Sequence, residues 1–239
     1  MIQLFNTIFY QPLLNALVFL YNVIPGHDIG IAIIVITILI KLALHPFSIK
    51  SIKSQKALQE IQPKIEALKK QYQNQKDKLA AEMMKLYKEE KVSPFSSCLP
   101  LLIQLPFLFA IYQVFIVGLS SGTLSGIYPF IYNPGNLNAI AFGFINLSKP
   151  QIILAVLAGL AQYWQGKMLM SKKPEVKGTA SKDEGMMAIM NKQMIFMMPV
   201  MTVVIGATLP SGLVLYWLVM TVATAIQQLI AFKGIKKAS

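Results

Sequence analysis

Side chains that could do chemistry are few in this chain, and those within its apolar stretches stand apart from one another. Lys41 is the only charge in the run IGIAIIVITILIKLAL, residues 29–44, and Thr37 lies four residues earlier. A helix puts the two on one face. The other polar groups in the apolar stretches are uncharged: Gln104, Gln113, Gln162, Gln165, Thr202, Thr221, Thr224, Gln227 and Gln228. A lone cation among amides and hydroxyls can attract an anion or an acidic segment. It cannot run an acid–base relay, because the apolar stretches hold no acid. There is no Ser/His/Asp grouping in a common layer, no P-loop and no Gly-rich dinucleotide turn. No enzyme and no cofactor are therefore expected. His27 and His45 flank a helix rather than share a face, so no metal site is read. The one cysteine, Cys98, allows neither an intrachain disulfide nor a Cys cluster and is read as a small buried hydrophobe. Two readings of Lys41 stand at this point: a lysine whose long stem carries its charge to the membrane edge, and a functional cation inside the membrane.

The elements that must position these groups are membrane elements. Of the 239 residues, 55% are hydrophobic and 13% charged, against about a quarter charged in soluble domains. This composition describes an all-α protein with several membrane spans. The net charge of +12 comes from 22 basic residues, all of them lysine. No site can therefore use the two-pronged grip of a guanidinium.

Residues 1–24 carry an uncharged polar stripe of Gln3, Asn6, Thr7, Tyr10, Gln11 and Asn15. The stripe predicts an amphipathic helix in the membrane interface, with a span as the alternative, since length and apolarity suffice. No basic start or small-residue cleavage pattern marks a signal peptide. The first span is expected at 28–45. Residues 46–92 follow, rich in lysine, and their apolar spacing predicts a helical hairpin joined near Tyr72–Lys78. Its charged face is either a solvated surface or a docking surface for partners or anionic lipid. The remaining spans are expected at 97–119, 150–168, 186–209 and 213–232. Residues 120–149 form a loop with room for a short interfacial helix, 171–185 a charged linker, and 233–239 a basic tail. Lysine-rich segments stay in the cytoplasm, which places the N-terminus outside and the C-terminus inside. The helix at 186–209 holds seven of the thirteen methionines. Met187, Met190, Met194, Met197 and Met201 form a stripe that is either packing filler or a pliable apolar surface.

The strings QPKIEALKKQY, LYKEEKVSPFSSCLPLLIQLPF and LPSGLVLYW, in this order and spacing, resemble the YidC-type membrane protein insertases. The resemblance runs from about Leu4 to Lys237 and corresponds to a short form without the large extracytoplasmic domain of many Gram-negative members. It implies a core of five transmembrane helices around a hydrophilic groove open to the cytoplasm, a cytoplasmic hairpin and an N-terminal interfacial helix. It implies that Lys41 occupies the position of the family's groove arginine, a departure in residue type, with Thr37 as its polar partner. Gln104 matches a groove glutamine, and Trp217 an aromatic that contacts substrate; Gln162 and Tyr216 are counted with them. Phe107, Phe109, Met194, Met197, Met198 and Met201 fall in the two helices of the family's hydrophobic slide. The expected partners are nascent or newly made membrane proteins. Further candidates at hairpin 47–92 are the Sec translocon, the signal recognition particle pathway, the ribosome and anionic lipid; no sequence-specific nucleic acid is expected. The rival reading is a transporter or channel for a small anionic solute, although no inverted repeat supports it.

Overall fold

In the computed structural model, residues 2–72, 75–93, 99–120, 124, 126–168 and 196–238 are described. Helix α1 runs through Ile2–Phe5, a π-helical turn at Asn6–Tyr10, and Gln11–Val23. Pro25 and Gly26 end it. Asp28 then caps α2 (Ile29–Ala43), its Oδ1 accepting from the backbone N–H groups of Gly30 (2.7 Å) and Ile31 (3.1 Å), which satisfies two of the free donors of a helix start. Leu44 leaves helical geometry, and Pro46 cannot donate to the turn before it. The chain therefore bends by 70° into α3 (His45–Gln71). Helix α4 (Lys76–Glu89) follows and packs on α3 through a small core of Ile61, Ile65 and Val92. Lys64 and Glu90 form an ion pair beside it.

The larger core lies among α1, α2, α5 (Leu99–Ser120), α6 (Ile152–Met168) and α8 (Ser211–Ala238). Helix α7 (Phe196–Gly206) packs closely against α6 at Gly159 of α6 and at its own Gly206. A Cβ on Gly159 would lie 2.5 Å from Val203 and 3.0 Å from the carbonyl oxygen of Pro199. Small residues permit this close approach where lipid supplies no hydrophobic drive between helices. Among the described residues, α1 (as Gln3–Val23) and α8 (as Ser211–Lys233) are each long and apolar enough to cross a membrane; the bent pair α2–α3 makes a third if counted as one span. Helix α2 alone, at 15 residues, rises only roughly 22 Å.

One sequence expectation needs correction. Asn15 does not face outward in the polar stripe of α1. It is buried, donating to Gln11 O (2.8 Å) and Gly126 O (3.0 Å) and accepting from Tyr128 N (2.7 Å). Its amide satisfies loop backbone that would otherwise lack partners. The described part of the loop before α6 contains no helix. It contains a small antiparallel pair, β1 (Ile140–Ala141) and β2 (Ile145–Asn146), whose connecting turn has Phe142 at φ +54° and Gly143 at φ +81°. Positive φ at successive residues is hairpin-turn geometry and incompatible with a right-handed helix.

Replacing Gly159 with leucine should force α6 and α7 apart. The expected cost is about 1–3 kcal/mol, as for other overpacked contacts, read as a lower unfolding midpoint in detergent. An unchanged midpoint would show that the two helices do not meet at this residue.

Candidate functional site

Helix α8 carries the polar groups around which the site is built. Tyr216, Met220, Thr224 and Gln228 recur at intervals of four and so share one face. Each of the three polar members meets a different element. Tyr216 is almost fully buried and accepts a hydrogen bond from Gln104 Nε2 of α5. Thr224 Oγ1 accepts from Lys41 Nζ of α2 at 2.8 Å and donates to Met220 O at 2.7 Å. Gln228 Nε2 donates to Gln55 Oε1 of α3 at 3.3 Å. One residue earlier, Gln227 Nε2 lies 2.9 Å from His45 Nδ1. Tyr216 and Thr224 are separated by about 12 Å of helix rise, so Lys41 and Gln104 engage the same helix two turns apart.

Lys41 is the chemical centre of this row. Its one described polar contact is a hydroxyl, and among the described residues the ion pairs are Lys56–Glu60 and Lys64–Glu90, both in the α3–α4 region. Among the described residues no carboxylate neutralises Lys41. A cation in these surroundings favours an incoming anionic group, because the penalty for burying charge falls when an opposite charge arrives. The lower end of the row adds acceptors: among the described residues, the side-chain oxygens of Gln227 and Gln228 are buried without a donor. Polar groups in that state demand a partner.

The expected site residues divide into several sets. Lys41, Gln104 and Tyr216 all reach the same α8 row. Thr37 does not join them: fully buried, it donates to Ile33 O of its own helix at 2.6 Å. A threonine hydroxyl commonly closes on the carbonyl four residues earlier, so a shared helical face does not make it a partner of Lys41. Gln162 lies elsewhere, accepting from Thr202 and so joining α6 to α7. Trp217 is half-buried, one position around the helix from Tyr216. Of the slide residues, Phe109, Met197, Met198 and Met201 are exposed on the outside of the bundle. Phe107 instead packs edge-on against Phe9 of α1, centroids 5.5 Å apart. Met194 lies outside the described residues, as do Cys98 and the linker 171–185. Thr224, Gln227 and Gln228 stood in the sequence only as scattered polar groups. Their spacing from Tyr216 was the available signal.

The chain as a whole is similar to proteins of a known class. The family described as 60Kd inner membrane protein matches residues 19–238. Curated relatives named membrane protein insertase YidC include one from Fusobacterium nucleatum, 35% identical over 94% of this chain and 97% of the relative. Another, from Clostridium tetani, is 37% identical over 81% of this chain and 76% of the relative. A longer one, from Geobacter metallireducens, is 32% identical over 95% of this chain but only 37% of its own length. The chain belongs to the YidC family of bacterial inner-membrane proteins.

The Gln104–Tyr216 contact should appear as a coupling in a double-mutant cycle with Gln104→Leu and Tyr216→Phe. Interhelical hydrogen bonds in membrane bundles average about 0.6 kcal/mol and reach about 1.7 kcal/mol; a coupling in that range is expected from unfolding in mixed micelles. Additive single effects would mean that the two side chains are not bonded.

Proposed function

We propose that this membrane protein insertase works through a hydrophilic groove that opens to the cytoplasm and has Lys41 as its charge. The reading rests above all on Lys41, a cation whose described partner is the Thr224 hydroxyl and which has no carboxylate beside it among the described residues. Drawing a short polar tail through hydrocarbon costs several kcal/mol for each unsatisfied group. A wet recess reaching part-way into the bilayer shortens that dry path without any nucleotide motor. Lys41 attracts acidic residues of the tail, while Gln104, Tyr216, Thr224 and Trp217 line the route. Thr37 lies one turn before the lysine on the same helix, and Gln162 adds a polar group from the separate α6–α7 side of the groove. The apolar segment that follows leaves along Phe107, Phe109, Met194, Met197, Met198 and Met201. The exposure of Phe109, Met197, Met198 and Met201 supports this exit side, because flexible thioethers accommodate many apolar sequences. Burial of the segment in lipid drives the process, each Leu, Ile or Phe contributing a few tenths of a kcal/mol.

In this reading five spans, 28–45, 97–119, 150–168, 186–209 and 213–232, enclose the groove, and α1 lies in the outer interface. The lysine-rich hairpin 46–92, linker 171–185 and tail 233–239 remain in the cytoplasm, with the N-terminus outside. Nascent or newly made membrane proteins are the substrates. The α3–α4 pair is the surface for the ribosome, the signal recognition particle pathway, the Sec translocon or anionic lipid.

Lys41→Ala in proteoliposomes should lower insertion of a substrate with an acidic tail by about tenfold, equivalent to about 1.4 kcal/mol. Lys41→Arg should retain most of the activity, and a substrate with an uncharged tail should be affected less. Wild-type insertion of the acidic-tail substrate by Lys41→Ala would remove the lysine from the mechanism. Anionic-solute flux that depends on Lys41, without insertion, would replace the insertase reading with a transporter.

A further inference from the structure

The loop from residue 126 to 149 has an inverted arrangement of polar and apolar side chains. Its asparagines turn back on its own backbone. Asn133 Nδ2 donates to Leu124 O (3.2 Å), and Asn133 Oδ1 accepts from Gly135 N (2.9 Å). Asn138 Oδ1 accepts from Ile140 N (3.0 Å), and Asn146 Oδ1 from Ser148 N (3.0 Å) and Ser148 Oγ (2.7 Å). Three of its five aromatic side chains point away: Phe130, Tyr132 and Phe144 are 82%, 77% and 79% exposed. The one charge in this stretch is Lys149, at its end. A loop surrounded by water favours the reverse, with amides outward and rings covered. A cluster of exposed rings marks an interaction surface.

The loop is also firmly mounted. Asn22 Nδ2 donates to Tyr132 O at 2.7 Å, which sets Tyr132 beside Val23, exposed like Phe19 one turn earlier on α1. Asn138 N donates to the Tyr21 hydroxyl at 3.1 Å. At the hairpin tip, Phe142 N donates to Asp28 Oδ2 at 2.5 Å. A Cβ on Gly30 would fall 2.7 Å from Ala141 and 2.9 Å from the Phe142 ring, so only glycine lets the tip sit this low on α2. Positive φ at Phe142 is strained for a residue with a Cβ, and the Asp28 bond and the packing on Gly30 offset it. Phe144 is thereby held outward.

We propose that this loop rests in the headgroup layer of the bilayer, with Phe130, Tyr132 and Phe144 as its anchors. Lipid is the occupant for three reasons. The surface continues the exposed apolar side of α1 at Phe19 and Val23; among the described residues its charges are Asp28, taken up by the backbone N–H groups of Gly30, Ile31 and Phe142, and Lys149 at the end of the loop; and Asn133, Asn138 and Asn146 are already bonded within the loop. Aromatic rings at the end of membrane helices settle at the water–lipid boundary, where an apolar ring and a polar edge are both satisfied. The anchor would fix the depth of Lys41, which lies 13 residues beyond Asp28 on α2, or roughly 20 Å of helix rise below the rim. The inference rests on reading α2 and α8 as membrane helices with α1 in the outer interface, and not on insertion activity.

The test uses the full chain in phosphatidylcholine–phosphatidylglycerol nanodiscs, in a Cys98→Ser background, with an environment-sensitive nitrobenzoxadiazole label on a single cysteine. The labelled variants are Phe144→Cys, Tyr132→Cys, Ile226→Cys in α8 and Met84→Cys in α4. Labels at 144 and 132 should be quenched at least about twofold more by lipids carrying a shallow nitroxide than by a deep one or by aqueous iodide, as expected at the interface. The label at 84 should respond to iodide and the label at 226 to lipid nitroxides. Iodide quenching at 144 and 132, with 226 still lipid-quenched, would overturn the anchor alone. Protection of 144 and 132 from both quenchers would also overturn it, since protein would then cover the rim. Iodide quenching at 226 as well would overturn the reading of α8 as a membrane helix, and the anchor with it.

Discussion

A lysine ammonium inside an apolar bundle has to meet oxygen, and the described part of this fold offers it the hydroxyl of Thr224 at 2.8 Å. That constraint ties α2 to α8 at one level. Helix α8 then becomes the common partner of the polar groups on its neighbours, with Gln104 two turns above and His45 and Gln55 below. A hydroxyl moderates a positive charge without neutralising it. The charge consequently stays available to a visiting anion, which a carboxylate in place of Thr224 would have prevented.

The two ends of the bundle are held by different physics. At one end, side-chain amides and Asp28 bond loop backbone, and the start of α8 hangs from the same loop: Ser211 Oγ donates to Lys149 O at 2.6 Å, and Gly212 N to Leu147 O at 3.0 Å. These are neutral or singly charged contacts between short side chains, suited to a compact cap. At the other end, the 70° bend after Ala43 turns the chain out of the bundle into α3 and α4. Their own core is three buried aliphatic residues, and they touch α8 through Gln55–Gln228 and the Lys56 ammonium over the Phe232 ring at 5.5 Å. Small cores and solvated bonds open more easily than large ones. The bundle is therefore built with a fixed end at the loop and a looser end at the lysine-rich helices, which is the end proposed to receive substrate.

Much of the class was legible without coordinates. The low charge content and long apolar runs required a helical membrane protein, and long motifs such as LPSGLVLYW pointed to the family. Lys41 could be singled out because a lone charge in an apolar run is costly wherever the helix lies. The site was less legible. Thr37 and Lys41 share a helical face, yet Thr37 bonds to its own backbone. Thr224 is 183 residues from Lys41, and no local pattern encodes such a pairing. Asn15 read as one more member of a polar stripe, because periodicity reports which residues share a face and not what covers that face.

The sequence by itself determined helix, membrane and one exceptional cation, because those follow from transfer free energies and backbone hydrogen bonding that act on each segment separately. Only the tertiary structure decided which hydroxyl meets the lysine and that Gln104 and Gln162 serve different helix pairs. It also decided that the asparagines of the loop turn inward while three of its rings turn out. Those outcomes depend on how helices cross and where the chain can return, and they are set by packing between segments far apart in the chain.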